Sequence, residues 1–529
     1  MSTQTLTLGS ATTVTRETGE FAVPGASATA EARAGGTRKV RAGLAMSIAT
    51  FAMAAASAIQ AILYLGRFGT NARTDGFFVA FALYSTFGVF SQSLRVTSVP
   101  LLVAPGARLS AGRFAATLGL IAVPVLVLTG PLAGPLAQLI APGLGPHGRA
   151  ITTAALPVLG CAMVLQLWAA GGATVLAIRD RFTTIAGAYM AGAGAGLIAF
   201  LVLMDHTGVQ TLGWSMLTMS VLTSAWMLSG VRRSGGFGGG AARRGSFAPI
   251  ALARDCGVVL GRTAIYLAFN VLFVITLAFG SRSAAGGTTV LSYAYLFVSY
   301  LVAGTGMALG MSSIPDLTRA ARSQQRTVVA AAVPRGFRYA MLIAAPALAL
   351  LIAVGAPLVH AVLPRSLSAA EAHTLRVFAA LLLPWLIAAL LINFLLPVLL
   401  AVGRARLLGA LALPLVLLQL AATAIGSALF GVDGAVGAFW IAPSCLMVVL
   451  LVAAVGRAEA AVLARELAGD GLRFLVVAAL AFGAGAALPA PELVQAAVAG
   501  AIGGVAYLAG LWLIARPQLE VLAGALLTR

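Results

Sequence analysis

Apolar runs about as long as a bilayer crossing recur from residue 43 almost to the end of this 529-residue chain, and no other feature restricts its fold as much. Inside lipid no water is present to satisfy backbone N–H and C=O groups. A crossing segment must therefore satisfy its own, as a helix, or close into a barrel. A barrel would show alternating segments of roughly ten residues, and none are present. The balance of 60% hydrophobic against 9% charged residues, with a mean hydropathy of +0.99, excludes an ordinary soluble domain. The expected fold class is an all-α polytopic membrane protein.

Fourteen spans are expected, at 43–65, 76–104, 114–140, 151–177, 182–204, 210–231, 254–280, 287–314, 337–363, 374–402, 405–429, 433–456, 473–490 and 494–515. Pro and Gly inside them, such as Gly130, Pro131, Pro157, Pro384 and Pro397, are tolerated in membrane helices and permit kinks. Residues 1–40 are rich in Thr, Ser, Ala and Gly without an apolar run, which reads as a disordered cytoplasmic tail rather than a signal peptide. The first helix then serves as its own insertion signal.

The cations test this count. With the N-terminus inside, 26 of the 34 Lys and Arg residues fall in inner segments, six fall outside and two, Arg95 and Arg262, lie within spans. A missed or false helix would invert every later loop and erase the asymmetry. Both termini are therefore expected in the cytoplasm, and a composition rich in Ala, Gly, Leu and Arg, with Lys39 the only lysine, suggests a bacterial cell with the chain in its plasma membrane. The net charge of +19 is read as topology-setting loops that meet anionic lipid, and not as a nucleic-acid surface.

A weak repeat divides the chain. Phe68-Gly69 precedes a long helix that ends near Val99-Pro100, and Phe279-Gly280 precedes another that ends near Ile314-Pro315. The Gly- and Arg-rich stretch 232–253 lies between them. The expected organisation is a tail (1–40), an N-lobe of six helices (41–231), a cytoplasmic linker (232–253), a C-lobe of six helices (254–456) and two further C-terminal helices (457–529). Since six is even, both lobes enter the membrane in the same sense, and a central site between them is expected.

Several motifs resemble the MurJ/MviN family of lipid II flippases, within the multidrug/oligosaccharidyl-lipid/polysaccharide (MOP) exporter superfamily. They are TDGFFVAF at 74–81, LIAPGLGPHGRA at 139–150, GGATVLAIRDRF at 171–182, the stretch from Ser292 to Ala321 and AVGRARLLGALALP at 401–414. The resemblance implies a MurJ/MATE-like fold with two lobes about a hydrophilic cavity, and helices 13 and 14 forming a groove for a lipid tail. It implies flipping of a polyprenyl-diphosphate-linked glycan, a cell-wall precursor, from the inner to the outer leaflet by alternating access. It also implies a ring of cavity cations that this chain largely lacks. Where the family carries them, the first helix has Ala54 and Gln60 and the second Ala82, Gly88 and Val89, and where its eighth helix carries an Arg and a Glu this chain has Leu296 and Ser299.

The candidate site residues follow. A diphosphate calls for guanidinium forks in a partly dry cavity. Arg95 lies about 13 Å and Arg262 about 12 Å from the inner helix ends at 1.5 Å per residue, so the two are candidates for a cationic pair at the cavity mouth. Snorkelling to headgroups is the alternative for each. Asp75 opens span 2 and is read either as the cap of its own helix or as an outer gate that pairs with Arg67 or Arg73. Gln60, Asn270 and Ser299 are candidates for contacts with sugar hydroxyls, and Tyr293, Tyr295 and Tyr300 for stacking on sugar rings. The cysteines and histidines show no metal spacing. No nucleotide loop or serine elbow occurs, so no enzyme activity and no cofactor are expected. Coupling to the membrane potential or to a cation stays open. The alternatives are a MOP-type exporter of another lipid-linked polysaccharide unit or small amphiphile, a non-transporting scaffold of the same fold, and a polyprenyl-phosphate glycosyltransferase.

Overall fold

The computed structural model describes residues 55–103, 109–238, 248–302, 326–362, 367–486 and 492–514, with isolated positions 49, 52, 53 and 516. Among these residues every regular element is a helix. The N-terminal half carries α1 (55–68), α2 (Ala72–Val103), α3 (Ala111–Thr129), α4 (Ala133–Ile140), α5 (Pro146–Ile178), α6 (Phe182–Leu203) and α7 (Thr211–Arg233). The C-terminal half carries α8 (Pro249–Gly280), α9 (Gly287–Val302), α10 (Arg326–Val362), α11 (Ala369–Leu381), α12 (Leu383–Ala401), α13 (Ala405–Gly437), α14 (Ile441–Val455), α15 (Arg457–Ala486) and α16 (Glu492–Ile514). Nine helical stretches among the described residues are long and apolar enough to cross a membrane, and shorter apolar helices occupy Gly287–Val302 and Ala497–Leu513. The expected tail and most of the 232–253 linker lie outside the described residues.

Helices fall on all fourteen expected spans, and the differences have local causes. Span 3 is two helices, α3 and α4, because Gly130 leaves helical geometry (φ −97°, ψ −97°) and Pro131 after it has no N–H to continue the ladder. Span 10 divides at Leu382, where Pro384 is accommodated in the first turn of α12. Spans 11 and 12 are joined by a reversal inside α13 at Phe430 and Gly431, where Gly431 takes φ +63°. α7 owes its place to hydroxyl packing more than to hydropathy. Ser215 donates to the Gly196 carbonyl at 2.8 Å and Ser224 to the Leu165 carbonyl at 2.5 Å. Short side chains of this kind let membrane helices approach closely.

α2 lies at the centre of the bundle, against α5 of its own lobe and against α8 and α9 of the other. Its contact with α5 is backbone on backbone. A Cβ on Gly76 would sit 2.1 Å from the Gly148 carbonyl oxygen, and the Thr152 hydroxyl donates to the Gly76 carbonyl at 2.7 Å. One apolar core runs through both lobes, from Ala61 to Leu511. The hairpin of α15 and α16 stacks on α10, where Arg338 reaches Asp470 and Glu466, both at 2.6 Å, and Tyr507 donates to the Leu342 carbonyl. Leu139 (76% exposed), Val505 (70%) and Leu480 (69%) project from the outer surface, as a chain solvated by acyl tails requires.

Gly76→Ala must force α2 and α5 apart, and overpacking of this kind destabilises by about 1–3 kcal/mol. Thermal unfolding in lipid nanodiscs should show a lowered midpoint for Gly76→Ala. Gly134→Ala, whose added methyl meets nothing within 4 Å, should leave it unchanged.

Candidate functional site

The turn before α2 is built to free Asp75. Asn71 caps α2, since its side-chain oxygen accepts from the backbone N–H of Arg73 (2.9 Å) and of Thr74 (3.2 Å). The expectation that Asp75 caps its own helix is thereby corrected. Its carboxylate instead crosses to the other lobe and caps α9. It accepts from the backbone N–H of Gly286 at 2.6 Å, the N–H of Thr289 at 2.7 Å and the Thr289 hydroxyl at 2.7 Å. An anion on the N-terminal N–H groups of a helix also meets the positive end of the helix dipole. Asp75 is 3% exposed, so these bonds form out of water.

Further contacts join the same end of the lobes. The Thr70 hydroxyl bonds to Glu371, which also forms a capping box with Ser368 at the start of α11. The Gly143 N–H donates to the Ser281 hydroxyl at 3.1 Å. Gly286 holds φ +93°, and a Cβ there would lie 2.9 Å from the Glu371 carboxylate. Burial works to raise the Glu371 carboxyl, but hydrogen bonds from Thr70 and Ser368 outweigh it and hold the group below the usual carboxylate range. A depressed carboxylate contributes stability above its unfolded value and loses it as pH falls through the folded value. This part of the latch therefore weakens only in acid.

Arg67 and Arg73 do not pair with Asp75, contrary to expectation. Arg67 bonds to Asp205 at 3.1 Å in an exposed pair, and Arg73 donates through Nε to His147 Nε2 at 3.0 Å. The bonds around Asp75 come from backbone and hydroxyl donors, which no charge count in the sequence reveals. The signal that could have exposed them was the repeat. Its offset of 211 residues between Phe68 and Phe279 equals the separation of Asp75 from Gly286.

Below the latch an aromatic cluster fills the space between α1, α2 and α9. Tyr64 contacts Phe68, Phe77 and Phe78, and Phe78 meets Tyr293 edge to face at 5.1 Å. The Tyr293 hydroxyl donates to the Ala61 carbonyl at 2.8 Å, so this residue plugs the bundle. Tyr295 stacks on Phe273 at 3.6 Å, within an aromatic group of the C-lobe. Tyr300 alone of the three candidate tyrosines lines the cavity beneath, which has a volume of about 180 Å³. Gln60, another expected site residue, lines it too, beside Gln92, Gln166 and Tyr84. The walls come from α1, α2, α5, α6 and α7, with Leu296 and Tyr300 of α9 closing one side.

The other candidates stand apart from this cavity. The Asn270 amide donates to the Tyr266 carbonyl one turn back in α8, and its own carbonyl accepts from Thr86. Ser299 neighbours Tyr300 but is not part of the wall. Arg262 is half-buried on α8, where it has interactions of its own, and it is not part of the wall either. Arg95 lies in α2, three residues beyond Gln92, and its side chain lies outside what is described, as does the expected Arg95–Arg262 pair. Sequence reasoning missed a different inter-lobe contact at this end. Arg113, at the start of α3, holds Asp255 of α8 through Nε at 3.0 Å and a second nitrogen at 2.5 Å. Among the described residues no cluster of His, Cys, Asp or Glu could hold a metal ion.

Comparison with known proteins places this geometry. No family model and no curated protein sequence matches the chain. Solved structures do match. The lipid II flippase MurJ in an inward closed conformation superposes with a TM-score of 0.69 at 14% identity, over 90% of this chain and 99% of that one. A point mutant of the Vibrio cholerae MATE transporter VcmN gives 0.56 at 11% identity, over 80% of this chain and 98% of that one. A MOP superfamily transporter from Pyrococcus furiosus gives 0.55 at 15% identity, over 80% and 96%. The fold is the MurJ/MATE fold. At these identities the likeness concerns architecture, and the latch and cavity belong to this chain's own residues.

Asp75→Ala would strand two buried N–H groups, and an unsatisfied buried donor costs about 1–3 kcal/mol. Hydrogen exchange at Gly286 and Thr289 should therefore quicken by about tenfold or more, at 1.4 kcal/mol per decade. Asp75→Asn keeps an acceptor oxygen and should quicken exchange less. Equal protection in all three proteins would remove Asp75 from the latch.

Proposed function

We propose that this chain is a transporter that moves a lipid-linked glycan precursor from the inner to the outer leaflet of a bacterial plasma membrane by alternating access. The observation that carries this reading is a cavity sealed toward one end by the Asp75 latch and the aromatic plug, with α9 of the other lobe as part of its wall. Rocking the lobes apart at Asp75 would open that cavity outward. Parting them at Arg113 and Asp255 would open the other end. The arginine distribution orients the Asp75 end outward, and exposed Arg232, Arg233 and Arg404 at the other end suit anionic headgroups. No covalent chemistry is required, and the reading is that of a carrier and not an enzyme.

The family resemblance and the MurJ superposition support a flippase. The absence of any charged side chain from the described cavity wall favours an exporter of a less anionic lipid-linked unit over lipid II itself. A scaffold that had lost transport has less support, because the cavity retains glutamines and tyrosines where packing alone would favour Phe and Leu.

The Thr74 and Thr289 hydroxyls lie 3.1 Å apart across the two lobes, which suits a disulfide in a Thr74→Cys, Thr289→Cys double variant. In proteoliposomes, flipping of a fluorescent short-chain polyprenyl-linked sugar should stop on oxidation and return on reduction. Unchanged flipping with the disulfide formed would contradict alternating access through this end. Complementation of a MurJ-depleted cell separates lipid II from other lipid-linked glycans. Growth would assign lipid II, and failure alongside flipping in vesicles would assign another glycan.

A further inference from the structure

The chemistry of the cavity wall limits what the cavity accepts. Its described wall holds no Arg, Lys, Asp, Glu or His. Its polar groups are amides and hydroxyls, with Gln60, Gln92, Gln166, Ser57, Tyr84 and Tyr300 prominent. Two of the amides are already fixed, since Gln60 donates to Ser215 at 3.0 Å and Gln166 to Ser220 at 3.1 Å. The Gln92 side chain makes no hydrogen bond among the described residues, although it is half-buried on the cavity-facing stripe of α2 with Phe81, Ser85 and Gly88.

Removing an ion from water costs several kcal/mol unless a counter-charge meets it. Among the described wall residues a cationic amphiphile would find no carboxylate, and a phosphate no guanidinium. An uncharged group rich in hydroxyls meets neither obstacle. Amides both donate and accept, so they can answer the paired donor and acceptor character of ring hydroxyls. Phe78 and Phe81 provide apolar faces for the C–H side of such a ring. The cavity of about 180 Å³ is below the roughly 300 Å³ at which drug-sized sites begin. That space admits one glycosyl ring.

We propose that this cavity is a subsite for a single uncharged glycosyl ring, with Gln92 as the group that completes its hydrogen bonding, and that it rejects ionised headgroups. The proposal rests on the transporter reading and deepens it. Any diphosphate on the same substrate must then lie outside this subsite. Helical spacing continues the α2 stripe from Gln92 to position 95, so the phosphates would lie toward the end of the bundle at which Arg95 stands.

The test is calorimetric titration of the full chain in lipid nanodiscs, with empty nanodiscs as the reference. Three probes share one chain, namely decyl β-glucoside, decyl phosphate and decyltrimethylammonium, all kept below micelle-forming concentrations. The expected result is saturable binding of the glucoside alone, weakened tenfold or more by Gln92→Leu. Gln92→Glu should retain glucoside binding within a few-fold and acquire binding of the ammonium probe. Unfolding midpoints check that both variants are folded, and if Gln92→Leu is not, the Gln92→Glu switch decides. Phosphate or ammonium binding to the unmodified chain as tight as the glucoside's would overturn the proposal. Glucoside binding indifferent to both substitutions would do the same. Transport is read separately through the Thr74→Cys, Thr289→Cys pair. Glucoside binding without transport would end the transporter reading and leave the subsite standing, whereas transport without glucoside binding would do the reverse.

Discussion

The contact between the lobes at one end of this bundle centres on a single carboxylate placed on the first N–H groups of a helix in the opposite lobe. Asp75 has three close donors and no cationic partner among its hydrogen bonds. That chemistry differs from a buried salt bridge. If the lobes part, the N–H groups and the carboxylate can each turn to water. The arrangement is strong while dry, because hydrogen bonds to a charged acceptor exceed neutral ones, and it can be opened by hydration. The surrounding elements serve it. Asn71 relieves Asp75 of capping duty, Gly286 gives the left-handed turn that aims its N–H, and Gly76 lets α2 approach α5 closely enough to hold the position.

A second tie at the other end has a different character. Arg113 and Asp255 form a charged pair between α3 and α8, with Asp255 6% exposed. With both ends tied, the cavity between them is small. Two contacts at opposite ends of one cavity, made by different chemistry, are what a carrier needs if each end is to be released without the other. In the proposed transport cycle the described wall, which is neutral, would set the selection. Among the described residues the charged contacts between the lobes lie at the two ends, and the cavity wall is made of amides, hydroxyls and apolar side chains.

Much of the fold was legible because lipid leaves few alternatives. Run length marked the helices, and the helix breaks fell at Gly130-Pro131, before Pro384 and at Gly431, where a backbone donor is missing or a left-handed angle is needed. The site was legible in part. Asp75 and Gln60 stood out as polar groups in apolar helices, and both lie where the lobes or the cavity meet. Their partners did not stand out. Arg67 and Arg73 were the nearest cations in sequence, yet geometry sends them to Asp205 and His147. The true donors are two backbone N–H groups and a threonine more than 200 residues away. Asn270 shows the opposite failure. It is a polar residue on a lobe-lobe helix, but its amide is turned back onto its own backbone. Gln92 and Gln166 come to one wall only when the helices pack.

The most direct test of the latch is a distance distribution between spin labels on the two lobes at the Asp75 end. Labels at Asp205 and Ala284, both in turns between helices, report that separation by pulsed electron resonance. The unmodified chain should show a dominant short distance and a minor long one. Asp75→Ala should multiply the long population about tenfold or more, as the loss of one or more buried hydrogen bonds requires. A single short distance, unchanged by Asp75→Ala, would contradict a latch held by this carboxylate.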